Sequence, residues 1–206
     1  NICSRTCFFY KLHIVLVNFK LRHICVFSIK KLMKSKGNIV FLGMMGSGKT
    51  SIGKLVSKTL RLNFFDTDQV IEKNLGIKVS KIFATKGEKY FRDIEEKTTL
   101  NLLSKKRIVL ALGGGTFVNK RVRKEILQNH ISFWLDLNSE TIITRVSNNN
   151  KRPLILNSTK KELLDLIKKR SIIYSKALYK INCENFTKKE IVSKIVSICE
   201  GKKINN

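Results

Sequence analysis

The stretch Gly43-Met44-Met45-Gly46-Ser47-Gly48-Lys49-Thr50 satisfies the pattern GxxxxGK[ST] and follows directly on the apolar run Asn38–Leu42. Glycines at these spacings let backbone N–H groups close around a phosphate, and the helix that follows presents its positive end. Lys49 can then reach the β- and γ-phosphates, and Thr50 can hold Mg²⁺. Strand–loop–helix context favours a phosphate cradle, with Gly46, Ser47, Gly48, Lys49, Thr50 and Ser51 as its binding residues, over a flexible glycine turn. Taken alone, the motif says only that a nucleotide binds.

Other residues could complete a phosphoryl transfer. Asp66-Thr67-Asp68 ends a second apolar run, which puts two carboxylates at the carboxyl edge of a sheet, where ligands bind in open α/β folds. Residues two apart on an extended segment point the same way. One can serve Mg²⁺ through water while the other meets an acceptor hydroxyl; the competing use of Asp68 is as a helix cap. In Phe91-Arg92-Asp93-Ile94-Glu95, Arg92 and Glu95 share a helix face, so Glu95 can fix Arg92 for bidentate capture of a carboxylate. Read alone, that pair is equally an ordinary surface ion pair. Gly113-Gly114-Gly115 follows the run Ile108–Leu112 and lets a ligand approach the backbone closely. Arg145 and Arg152 flank a polar, Asn-rich stretch that reads as a lid carrying a cation to the phosphates. Arg170 lies on the stripe formed by Leu163, Ile167 and Tyr174, and an arginine on an apolar helix face asks for an anionic partner.

These residues need a scaffold that sets them on one edge. From residue 38 onward, short apolar runs alternate with amphipathic stretches, the signature of βαβ units on a parallel sheet. Strands are expected at Asn38–Leu42, Asn63–Asp66, Ile108–Leu112, Ile131–Leu135 and Ile181–Cys183. Helices are expected near Lys49–Leu60, Lys86–Leu103, Lys120–Gln128, Ser139–Val146, Lys160–Tyr174 and Lys188–Cys199. With no internal repeat, the helices should cover both faces of one sheet, a three-layer α/β/α arrangement.

Bulk properties bound the rest. A chain of 206 residues with 43% hydrophobic content can bury one core without staples. The five cysteines, Cys3, Cys7, Cys25, Cys183 and Cys199, form no CxxC pair; neither a metal site nor a disulfide framework is indicated, and a reducing, intracellular compartment fits. The net charge of +26 invites a polyanion partner. The basic residues are instead spread through nearly every segment, and the twelve Phe sit mostly within apolar runs, unlike the exposed stacking platforms of a nucleic-acid surface. No nucleic-acid partner is expected. Residues 1–36 carry eight Lys/Arg and no acid, and read as an appendage without a stretch that could span a bilayer. Met33 is a more natural start than Asn1, which favours a translated upstream stretch over a targeting peptide. Residues 37–200 form the expected domain and 201–206 a tail.

Together the motifs resemble shikimate kinase, from about Asn38 to about Cys199. The resemblance implies a nucleoside-monophosphate-kinase-like P-loop fold with a five-stranded parallel sheet. It also implies transfer of the γ-phosphoryl group of ATP to the 3-hydroxyl of shikimate, on the route to chorismate and the aromatic amino acids. By resemblance, Lys49 and Thr50 bind ATP and Mg²⁺, Asp66 supports the metal through water, and Asp68 contacts the ring hydroxyls and orients or deprotonates the acceptor. Arg92, Arg170 and the turn Gly113–Gly115 hold the carboxylate and ring, with Glu95 steadying Arg92. Arg152 is the lid arginine, Arg145 lies by the adenine, and Lys49, Asp68 and Arg152 form the catalytic set. A cytoplasmic monomer acting on small molecules is expected.

Overall fold

The computed structural model describes residues 37–147 and 159–201; the basic segment 1–36 and the end of the tail lie outside these. The elements are β1 (Ile39–Leu42), α1 (Lys49–Leu60), β2 (Asn63–Asp66), α2 (Thr67–Leu75), α3 (Val79–Leu103), β3 (Ile108–Ala111), a 3₁₀ turn (Thr116–Val118), α4 (Lys120–Asn129), β4 (Ile131–Asp136), α5 (Ser139–Ser147), α6 (Lys160–Tyr174), β5 (Tyr179–Asn182) and α7 (Lys188–Cys199). Every strand pairing is parallel, in the order β2-β3-β1-β4-β5.

This architecture follows from where the apolar runs are continuous. β1 and β3 are buried along their whole length, as strands covered by helices on both faces must be. The edge strands β2 and β5 are only partly buried. Helices α1 and α7 pack on one another, and α3, α4 and α6 gather around the 3₁₀ turn, giving three layers. Helices α6 and α7 each open on a reciprocal cap, Thr159 with Glu162 and Thr187 with Glu190, the Thr-x-x-Glu signature that satisfies two orphan N–H groups. The strand order also creates the cleft. From β1 the chain crosses to β2 on one side of the sheet, and from β3 it crosses to β4 on the other. Ligands bind in the crevice above such a switch point.

Three local expectations need correction. Helix α2 starts directly at the end of β2, so Asp68 lies in a first helical turn and not on an extended segment. The helix expected from Lys86 begins at Val79 and breaks at Gly87, whose φ of 79° and ψ of 171° are non-helical. Ile71, Ile82 and Phe91 there bury into a small second core with Ile77, Val79, Phe83 and Ile94, which carries the Arg92 segment. Strand β5 runs over Tyr179–Asn182, not Ile181–Cys183, because an edge strand burying Ile181 alone leaves little apolar signal to mark its ends. No helix of the described residues is long and apolar enough to cross a membrane.

Where the inner strands β1 and β4 begin, away from their carboxyl ends, His130 ties the two together. Its Nδ1 accepts the Asn38 backbone N–H at 2.9 Å, and the Asn38 side chain bonds Leu103 O, Lys105 O and Ile108 N. Burial pushes His130 below the ordinary imidazole range, against the pull of Glu125, whose Oε1 lies 3.5 Å from Nε2. A proton on Nδ1 would set two N–H groups against each other. Because the folded pKa is depressed, the unfolded chain binds this proton more readily, and stability is lost as pH falls below about 6.5. The melting temperature should therefore drop more steeply between about pH 7 and pH 5 in the parent than in His130→Asn, which keeps an acceptor but does not titrate. Parallel slopes in thermal melts would contradict this.

Candidate active site

The phosphate loop spans β1 and α1, and its Gly43, Gly46 and Gly48 adopt φ values of 141°, 77° and 89°, which side chains disfavour. Lys49 is 8% exposed, and its Nζ donates to the carbonyls of Gly43 and Met44 at 2.9 and 2.8 Å. The ammonium is thus held within the loop. Ser47 Oγ is buried without a hydrogen-bond partner, a polar atom left for a ligand to satisfy. Ser51 lies exposed in the first turn of α1. Arg145, at the end of α5, donates to Gly46 O at 3.1 Å, which puts it on the loop's apex. Arg152 lies outside the described residues.

Thr50 Oγ1 donates to Asp66 Oδ2 at 2.6 Å, while Asp66 Oδ1 caps α2 by accepting from Gln69 N at 3.3 Å. The cap is therefore Asp66, and not Asp68 as the competing reading of that pair had it. A hydroxyl and a carboxylate oxygen side by side at the mouth of a phosphate loop are the hard oxygen donors that Mg²⁺ prefers.

The triple-glycine turn gathers the other charged groups. A Cβ added at Gly113 would stand 2.7 Å from Asp68 Oδ1 and 2.6 Å from Glu95 Oε1. One added at Gly114 would stand 3.4 Å from Arg170 Nη1, and one at Gly115 2.5 Å from Arg92 Nη1. Each glycine thus makes room for a side chain singled out in the sequence, and the turn is a hub rather than a tight corner. The turn also lies against the phosphate loop: a Cβ added at Gly114 would stand 3.6 Å from Met45 N.

Arg92 Nη1 bonds Glu95 Oε2 at 2.7 Å, and Glu95 Oε1 accepts from Thr116 Oγ1 at 2.6 Å. Glu95 is buried, so the pair is no surface ornament. Sequence reasoning missed a second brace: Glu88 Oε1 accepts from Arg92 Nε and Nη2 at 3.2 and 3.0 Å. Its signal was the spacing of four residues on one helix. Burial works against the Arg92 charge, but Glu95 and Glu88 outweigh it and hold the guanidinium above its usual value. Phe83 and Phe91 were also missed; the Arg92 Cζ lies 5.8 and 5.3 Å from their rings. A cavity of about 230 Å³ adjoins this braced arginine, between Glu95, Glu96, Thr116 and Asn119.

The arrangement sets a phosphate cradle with its lysine on one wall and two arginines against the glycine turn on the other, with a carboxylate between. Comparison with known proteins identifies the family. A family model described as shikimate kinase matches residues 45–200. A shikimate kinase of Bartonella henselae is 37% identical over 179 residues, covering 85% of each chain. One from Thermodesulfovibrio yellowstonii is 39% identical over 160 residues, 77% of this chain and 92% of that one. Among solved structures, the shikimate kinase from Acinetobacter baumannii in complex with shikimate superposes with a TM-score of 0.77 at 30% identity, over 85% of this chain and 99% of that one.

Proposed function

This chain belongs to the shikimate kinase family, and we propose that its reaction, transfer of the γ-phosphoryl group of ATP to the 3-hydroxyl of shikimate, is divided among the residues of the two facing walls. Lys49 and the backbone of Gly46–Thr50 hold the nucleotide phosphates, and Arg145, at the loop apex, lies by the adenine. Mg²⁺ would be held by Thr50 directly and by Asp66 through water, and when bound it offsets phosphate charge. Asp68 orients the acceptor hydroxyl and takes its proton. Arg92, braced by Glu95, and Arg170 hold the carboxylate over Gly113, Gly114 and Gly115. Arg152 is assigned to the phosphates on resemblance alone.

The observation that carries this division is the convergence of Asp68, Arg92 and Arg170 on three successive glycines beside the phosphate loop. Phosphoryl transfer has little covalent chemistry for the protein to perform, so positioning and charge supply the rate. Two guanidiniums converging on one turn suit a carboxylate-bearing ring. Release of ADP with shikimate, measured against a panel of hydroxy acids and nucleoside monophosphates, tests the acceptor. Turnover with a nucleoside monophosphate in preference to shikimate would overturn it.

Arg170→Lys isolates the carboxylate clamp, because it keeps the charge and loses the planar two-pronged donor. Shikimate affinity should weaken by about 1.5–3 kcal/mol, or roughly ten- to a hundredfold, as for a lost charged hydrogen bond. ATP affinity should barely move. Titration of both ligands decides it: equal weakening for ATP and shikimate, or none for either, removes Arg170 from the clamp.

A further inference from the structure

Tyr174 closes α6 one turn after Arg170, and none of the roles above uses it. It is 1% exposed, and its ring lies 6.1 Å from that of Trp134. Its hydroxyl donates to the carbonyl of Gly114 and meets Met44 Sδ at 3.8 Å. Arg170 Nη1 reaches the same sulfur at 4.0 Å. One phenol therefore touches the middle of the triple-glycine turn and the phosphate loop, beside the clamp arginine.

Packing does not require a hydroxyl there. Phenylalanine would fill nearly the same volume, and a buried hydroxyl is costly unless it is paired. What the hydroxyl adds is direction. In a trans peptide the carbonyl and the following N–H point opposite ways, and the described residues contain no cis peptide. Anchoring Gly114 O on the buried phenol thus turns the Gly115 N–H away from it. Three glycines in succession have wide backbone freedom, so an outside anchor matters more here than in an ordinary turn. Burial pushes the phenol up to about 12, against the pull of Arg170, so it remains a protonated donor at neutral pH.

We infer that Tyr174 is a positioning residue for the acceptor: its hydroxyl orients the Gly114–Gly115 peptide, backs the Arg170 guanidinium and, through Met44, ties the carboxylate subsite to the phosphate loop. The inference rests on placing the shikimate carboxylate at Gly114 and Arg170. A tyrosine that served packing alone would change stability without distinguishing the substrates. A positioning tyrosine changes shikimate recognition and spares ATP.

Tyr174→Phe keeps the ring and its neighbours and removes the donor, so the variant should fold. It is compared with the parent and with Arg170→Lys by steady-state kinetics in both substrates, and by thermal melting without ligand. The KM for shikimate should rise about tenfold while that for ATP stays within about twofold and kcat falls less than KM rises, the scale of one lost buried hydrogen bond. An unchanged shikimate KM in Tyr174→Phe, with Arg170→Lys weakened, overturns the role of Tyr174 alone. Equal shifts in both KM values that track the loss of melting temperature also overturn it, by reducing Tyr174 to packing. If Arg170→Lys too leaves shikimate binding unchanged, the carboxylate placement falls and the inference falls with it.

Discussion

Lys49→Ala should lower kcat by about 10²- to 10³-fold, the scale for removing one charged or polar group aimed at charge that develops in the transition state. The structure holds the ammonium within the phosphate loop, on the carbonyls of Gly43 and Met44. Truncation also removes those two hydrogen bonds, each contributing about 1 kcal/mol. Both are confined to the loop, whereas the core built on β1 and β3 does not involve the side chain. The melting temperature should fall by several degrees while the protein stays folded, since about 1 kcal/mol shifts a domain of this size by about 2–4 °C. Coupled ADP release and thermal melting on the same preparation separate the two effects. A folded Lys49→Ala protein with parental kcat would remove Lys49 from the catalytic set.

What could be read in the chain beforehand was whatever is local. The phosphate loop is contiguous, the buried strands β1 and β3 are uninterrupted apolar runs, and the Leu163–Ile167–Tyr174 stripe repeats at helical spacing, so each carries its own signal. What escaped depends on partners remote in sequence or on residues with two uses. Asp66 can end a strand or cap a helix, and here it does both with no loop between, which hid α2 and gave Asp68 the wrong backbone. The helix expected near Lys86–Leu103 contains Gly87, whose backbone is non-helical, and helical turns lie on both sides of it. The bond from Arg145 to Gly46 spans 99 residues and that from Tyr174 to Gly114 spans 60; no periodicity reports such pairs. Arg92 with Glu95 is the intermediate case. Its spacing was legible, but only the burial of Glu95 and its bond to Thr116 separate it from a surface ion pair, since exposed pairs of that spacing contribute little.

Asp68→Asn should lower kcat by about 10²- to 10⁴-fold, the range for loss of a general base, while ATP affinity changes little. The argument is positional. Asp68 Oδ1 lies against Gly113 on the acceptor wall, whereas the carboxylate beside Thr50 on the nucleotide wall is Asp66. Asparagine keeps the shape and a hydrogen-bonding oxygen but cannot take the acceptor's proton, so shikimate should still bind and fail to react. Asp68 also occupies the first turn of α2, where a negative charge favours the helix by about 0.3–1 kcal/mol, and its neutralisation should cost at least that much stability. Three measurements on one variant distinguish the readings: turnover, ATP affinity and shikimate affinity. Lost turnover with both affinities near parental values assigns Asp68 to the proton. If ATP affinity collapsed and shikimate binding were untouched, the two carboxylates would have exchanged roles, with Asp68 serving the metal and Asp66 the acceptor.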